Sequence, residues 1–263
     1  MTTLEAVNEI LSGLGQPPVT ALDTGTTSEA GEAEAYLNRS TRRIQRDGWS
    51  FNRLKQITLS LPDRTVSCSG GSGTFTYGEV VTQTTSGATG TFYYEESGKV
   101  YLKVLAGTFD GTHALTGGTS GATRATTTAT AAITTAKHAV AANVLTIKAW
   151  SYSTGQMVMN SGFLYDTINN TYTFSVELVV DQVVAFSFAN VPEYMHEYIV
   201  ADAAVQYQRY KRRGMVDDQM LIQELSAART KARRSDQDVC PTNVLDTADA
   251  DRARGYRSRI MGR

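Results

Sequence analysis

Residues 190–213 read NVPEYMHEYIVADAAVQYQRYKRR, and Gly214 follows them. Proline stands just inside the start, Glu193 and Glu197 come early, and lysine and arginine crowd the end, so both termini meet the charge and backbone preferences of an α-helix. Met195, Ile199 and Ala203 recur every four residues, flanked by Tyr194, Tyr198 and Val205. This apolar surface is too broad for a single neighbour. A helix covered from two sides is the centre of a bundle, and the rest of the chain must supply its partners.

Three further segments have helical patterning. Thr2 with Glu5 forms a capping box, Leu4, Val7, Leu11 and Leu14 make one face, and Gly15 with Pro17 and Pro18 ends the segment. Ser28 caps a second helix with an acidic start (Glu29, Glu32, Glu34), a basic finish (Arg39, Arg42, Arg43, Arg46) and an apolar face of Ala30, Ala33, Leu37 and Ile44. Gly48 closes it, and Trp49 and Phe51 are expected to anchor its end against the core. A last helix is expected from Asp217 to about Arg234, with Leu221, Leu225, Ala228 and Ala232 on one face.

Between these lies β material. QITLSL at residues 56–61 alternates as a half-buried strand does. Residues 64–142 are rich in threonine and glycine, yet FTYGEVV, TGTFYYEE and KVYLKVL cluster strand formers between turns, which predicts an inserted small β domain. SGATG at 86–90 returns as SGATR at 120–124, predicting two similar turns. Residues 126–142 read as an extended or weakly helical return. VLTIKAW, QMVMN, GFLYD, YTFSVELVV and VVAFSFA then form a second strand-rich region. The fold class is therefore α+β. Residues 1–55 and 190–235 form a helical bundle, 56–63 and 143–189 a central β domain, 64–142 the inserted domain, and 236–263 a tail that orders on a partner.

No constellation of catalytic residues emerges. His113, His138 and His196 lack metal-ligand spacing, apart from His196 beside Glu193 and Glu197, which reads as an ordinary polar helix residue. Glu177 and Asp181 read as solvent-facing groups, and Gly70, Gly71 and Gly73 as turn glycines without a following GK[ST]. Cys68 and Cys240 lie far apart, which predicts two free thiols in a reducing compartment. No metal or other cofactor is expected, and no enzymatic activity. Lysine plus arginine number 25 against 26 acids, a balance unlike that of a chain whose whole surface contacts nucleic acid. The acidic N-terminus and short apolar runs predict neither export nor membrane insertion.

Two kinds of surface residue remain. Arg39, Arg42, Arg43 and Arg46 share one side of a helix, and Arg209, Lys211, Arg212, Arg213, Arg229, Lys231, Arg233 and Arg234 mark the ends of the last two helices. They suit helix-end charge pairing and subunit salt bridges, or a surface lying near DNA phosphates without reading sequence. Tyr194, Tyr198, Tyr207 and Tyr210 lie on more than one side of the central helix and suit both core packing and a subunit contact.

Four stretches in this order carry a resemblance: AVNEILSGLGQPPV (6–19), YLNRSTRRIQRDGWSFN (36–52), GFLYD (162–166) and VPEYMHEYIVADAAVQYQRYKRRG (191–214). The chain resembles the tail tubular protein A family of short-tailed bacteriophages, adaptors that join the portal to the tail nozzle, and WSFN is the most distinctive element. The resemblance implies a ring of twelve subunits between the portal and a tail tubular protein B-like nozzle, in the neck of a virion assembled in the bacterial cytoplasm. DNA would pass through the channel unread. Arg39, Arg42, Arg43, Arg46, Tyr194, Tyr198, Tyr207, Tyr210, Arg212 and Arg213 then become candidates for the subunit interface or channel wall. The tail, with Arg252, Arg254, Tyr256, Arg257 and Arg259, would reach the portal. The threonine- and glycine-rich segment departs from compact family members and could contact tail fibres. The alternative is a carbohydrate-binding or depolymerising tail component acting through that segment, where Tyr93, Tyr94 and Tyr101 are the aromatic platform available.

Overall fold

The structure, a computed structural model, describes residues 1–22, 28–149, 157–211 and 219–239. It divides into two compact units, one built from residues up to Arg53 and from Val183 onward, the other from Leu54–Gln182.

The first unit holds the described α-helices: α1 (Thr3–Ser12), α2 (Glu29–Gln45), α3 (Glu193–Lys211) and α4 (Gln219–Val239). Thr2 Oγ1 accepts from the Glu5 N–H at 3.2 Å, and the Glu5 carboxylate accepts from the Thr2 N–H at 2.7 Å. These reciprocal bonds satisfy two donors that the first turn of α1 leaves open, and they hold the Glu5 carboxyl below its ordinary value. Ser28 Oγ likewise accepts from the Gly31 N–H at the start of α2. At the end of α2, Gly48 takes φ +77°, a conformation that favours glycine.

Two helix bounds differ from the sequence expectation. A 3-10 turn, Phe188–Asn190, precedes α3, which begins only after Pro192. The proline fixes the approach and has no N–H to donate. The helix α4 runs to Val239 because Asp236, in its last turn, is held by the Ser50 N–H, the Ser50 hydroxyl and the Tyr194 hydroxyl. Those donors offset the unfavourable placing of an acid near a helix C-terminus.

The second unit is all β. Strand Arg64–Ser72 pairs with Lys99–Ala106 along one edge (Val66 opposite Val100) and, along the other, with Thr123–Thr126 (Cys68 opposite Thr126) and Ala131–Ala132. From Lys99–Ala106 the sheet continues through Ala88–Glu96, Val80–Gln83 and Ala114–Gly117 to Thr123–Thr126, so six strands close into a barrel. Val66, Val81, Val100, Leu102, Phe109 and Leu115 fill it and are fully buried. The barrel is a packed core with no lumen. The two repeated turns are alike. Gly87 and Gly121 take φ +68° and +64°, and in each the hydroxyl of the preceding serine accepts from the N–H of the following alanine.

Outside the barrel, Arg53–Leu59, Leu178–Val184 and Val144–Ala149 form a three-stranded sheet, Met157–Asn160 pairs with Phe163–Asp166, and Ala136–Lys137 pairs with Thr173–Phe174. A register shift between Phe92 and Tyr94 turns Tyr93 and Tyr94 into packing positions. Tyr94 stacks on Tyr101 at 4.3 Å, meets Phe163 edge-on at 5.2 Å, and its hydroxyl accepts from the Lys137 N–H. The aromatic group therefore fastens the barrel to the strands that follow it and offers no open platform for a sugar ring.

His138 is fully buried in this unit, with Nε2 at 3.0 Å from the Val176 carbonyl oxygen and its ring 5.1 Å from Phe174. Burial pushes its pKa below the ordinary value, so the folded unit favours the neutral ring. The unfolded chain binds the proton more readily. Stability is thus full above the ordinary value of about 6.5 and falls as pH drops below it. Urea denaturation at about pH 7 and about pH 5 should show this loss. The loss should shrink in His138→Asn.

Candidate assembly interface

Within the helical unit, α3 is the shared partner of α1, α2 and α4. Its residues Met195, Ile199, Ala203 and Tyr207 are fully buried, and Val200 and Val205 nearly so. The central helix is enclosed on several sides by its own chain.

Trp49-Ser50-Phe51-Asn52 explains how the unit is held together. Trp49 Nε1 donates to the Ile44 carbonyl at 2.8 Å and its ring packs edge-on against Tyr198. Ser50 donates twice to Asp236 of α4, and Phe51 lies against Phe186. Asn52, fully buried, donates from Nδ2 to the carbonyls of Gln45 and Val184 at 2.9 and 3.0 Å. Gln45 is equally buried: its Nε2 donates to the Phe186 carbonyl, and its Oε1 accepts from the Phe186 N–H. Two amide side chains thus stitch the end of α2 to the returning chain at residues 184–186. Sequence reasoning recognised only the two aromatics as anchors. Two amides flanking a short aromatic stretch were the available signal.

The expected interface residues separate by position. Tyr198 and Tyr207 are buried inside this bundle, and Tyr207 packs 5.6 Å from Tyr36. Burial raises the pKa of both phenols. Tyr194 is half-buried and donates to Asp236. Tyr210, 54% exposed, is the outward ring of the four.

Arg43 forms an ion pair with buried Asp202 of α3. Arg39 lies over the Tyr36 ring at 5.0 Å. Arg42 and Arg46 are exposed at i, i+4 spacing, and both face outward. Lys211 lies 2.5 Å from Glu32 of α2, and this contact pushes its pKa up to about 12. Lys231 lies 2.7 Å from Glu197. Ion pairing within the chain therefore accounts for Arg43, Lys211 and Lys231. Because α4 continues to Val239, Arg229, Lys231, Arg233 and Arg234 stand inside that helix and not at its end as expected. Arg212, Arg213, Arg252, Arg254, Tyr256, Arg257 and Arg259 lie outside the described residues.

Between α2, α3 and α4 opens a cleft of about 470 Å³, lined by Arg43, Tyr198, Asp202, Ile222, Leu225 and Arg229 among others. Met220 and Ile222 of α4 are also exposed. Desolvation, followed by the charges of Glu197 and Glu224, raises the pKa of Glu9 on α1.

Nothing in the described residues assembles into a reaction centre. His196 is buried in α3, 3.2 Å from the Phe188 carbonyl and packed on the Phe188 ring. Glu177 is exposed and bonded to Lys103, whereas Asp181, expected to face solvent, is buried and accepts from the Gln56 N–H. Burial and Glu95 push the Cys68 thiol up to about 11, which disfavours the reactive thiolate. No cluster of metal-ligating side chains occurs among the described residues, and no described helix is long and apolar enough to cross a membrane.

No curated protein matches the chain. A family profile described as "Tube: Tail tubular protein" matches residues 4–74 and 122–242 and passes over 75–121. The boundary of the unmatched segment is visible in the barrel. Ser72 and Thr123 are paired across adjacent strands, and a Cβ on Gly73 would lie 3.2 Å from Ala122. The matched part contains the helices, the WSFN stitch and two strands of the barrel, and it spans well over half of the sequence. The chain belongs to the tail tubular protein family and is a structural, noncatalytic protein of the viral tail.

Proposed function

We propose that this chain is the head-to-tail adaptor of a short-tailed phage. Twelve copies form a ring beneath the portal, and that ring continues the channel through which double-stranded DNA leaves. The reading is carried by one observation, the joining of both ends of the described chain in a helical unit that the family profile matches on both sides of its gap. The packed barrel has no lumen of its own, so a channel for DNA requires several copies around an axis. The other face of the ring receives the nozzle protein, and the β unit is free to meet tail fibres. The particle assembles in the host cytoplasm without membrane insertion.

The segment beyond Val239, with Arg252, Arg254, Tyr256, Arg257 and Arg259, is assigned the portal contact. In a pull-down, immobilised portal should retain the full chain and retain a version ending at Val239 at least about tenfold less well, with the denaturation midpoint of the helical unit unchanged. Equal retention of both removes the tail from the contact. Failure to retain the full chain counts against the adaptor reading.

A further inference from the structure

Tyr210 points out of the helical unit, 54% exposed, yet it is braced from behind. Its ring lies 5.5 Å from that of Tyr36, which in turn meets Tyr207 at 5.6 Å. Arg39 lies over Tyr36, and the Lys211 ammonium stands 5.4 Å from the Tyr207 ring and 5.9 Å from the Tyr210 ring, tied down by Glu32. Three tyrosines held by two cations leave the outermost ring little freedom to lose on binding. Preorganised Tyr and Arg side chains carry the binding energy of many protein interfaces.

The cleft between α2, α3 and α4 has the lining such a ring needs. Ile44 and Tyr198 are buried, Leu225 is half-buried, and Ile222 is 45% exposed, so much of the surface is apolar. Arg43 and Asp202, paired with each other, line it as well. Asp47 and Arg229 are exposed there and have no ion pair among the described residues. A phenol matches this lining, for its ring suits aliphatic side chains and an arginine, and its hydroxyl suits a carboxylate.

Tyr210 does not serve its own cleft. It stands eight residues beyond Asp202 on α3, about 12 Å further along the helix axis, and is engaged by Tyr36. Ring and cleft are thus different patches of one subunit, which a closed ring requires because its contact runs head to tail. The two also match in charge. Arg39 and Arg209 accompany the ring without an ion pair among the described residues, and Asp47 in the cleft is the free acid. Both patches lie in the part that the family profile matches, whereas Tyr77, the other exposed tyrosine among the described residues, lies in the segment it passes over.

We propose that Tyr210 of one copy enters the α2–α3–α4 cleft of the next, with Arg39 and Arg209 facing Asp47, and that this contact sets the head-to-tail direction of the ring. It rests on the adaptor reading given above and names the contact that builds its ring.

The test uses the full chain with portal, scoring ring formation by native mass spectrometry and negative-stain microscopy. Tyr210→Ala should lower the yield of rings at least about tenfold, and so should Ser226→Trp, which fills the cleft and leaves Tyr210 in place. Both positions are exposed, so the denaturation midpoint should move little. In a chain carrying Cys68→Ser and Cys240→Ser, copies with Arg209→Cys mixed with copies with Ser226→Cys should be coupled by a short bismaleimide, and neither should couple alone. Wild-type yields of rings from either variant, or rings in which the mixed copies do not couple, overturn this contact while leaving the adaptor reading intact. Variants that close rings but no longer hold them on the portal place a portal segment in the cleft and overturn it as well. A wild-type chain that forms no ring even with portal overturns the adaptor reading and this contact together.

Discussion

Asn52→Ala is expected to destabilise the protein by about 3 kcal/mol, a large fraction of the stability of an ordinary domain. The side chain is fully buried and its two N–H bonds go to the carbonyls of Gln45 and Val184. Alanine leaves both carbonyls without that donor and opens a small cavity, and the two losses act in the same direction. Asn52→Asp should be at least as damaging, because it brings a carboxylate where two carbonyl oxygens need a donor. Arg42→Ala, at an exposed position of the same unit, should change stability by less than about 0.5 kcal/mol. Equilibrium denaturation followed by helical circular dichroism distinguishes these outcomes. An Asn52→Ala midpoint equal to that of the wild type would remove the stitch from the account.

The second large effect concerns residues 75–121. Joining Thr74 to Ala122 through a short turn should abolish the barrel and leave the helical unit folded and able to assemble. The ends already lie together, for Ser72 pairs with Thr123 and Gly73 lies against Ala122. The removed segment carries Val80–Gln83, Ala88–Glu96, Lys99–Ala106 and Ala114–Gly117, the four strands that close the sheet. Its loss would expose Val66 and uncover Phe163, which packs on Tyr94, so the excised chain should also carry Val66→Thr and Phe163→Thr. Removing 64–142, the whole threonine- and glycine-rich region, is the worse cut. It would take away Ala136, His138 and Val140, which pack with or pair to the retained 163–180 strands. Loss of ring formation by the 75–121 excision, with helical content retained, would show that the barrel takes part in assembly.

The helices were legible because their signals are local. The Thr2–Glu5 box, the Ser28 cap and the apolar faces of α2 and α3 each depend on residues within a few positions. The two SGAT turns were legible for the same reason. Barrel closure was not, since the pairing of Arg64–Ser72 with strands on both sides depends on partners dozens of residues away that periodicity does not specify. The tyrosines show a second limit. Spacing placed four on α3, but whether a ring is buried depends on α2 and α4, which enclose Tyr198 and Tyr207 and leave Tyr210 outside. Arg43 was indistinguishable in sequence from Arg42 until Asp202 appeared beside it. The buried amides Gln45 and Asn52 read as unremarkable polar residues, because each has a main-chain partner far away in sequence, Phe186 at 141 positions from Gln45 and Val184 at 132 from Asn52.

Electron microscopy of the full chain mixed with portal tests the central claim most directly. The adaptor account requires a second ring of twelve copies stacked on the portal, coaxial with its channel and absent when either protein is omitted. A portal that stays bare at saturating concentrations of the folded chain, or that binds isolated copies without a closed ring, would contradict it.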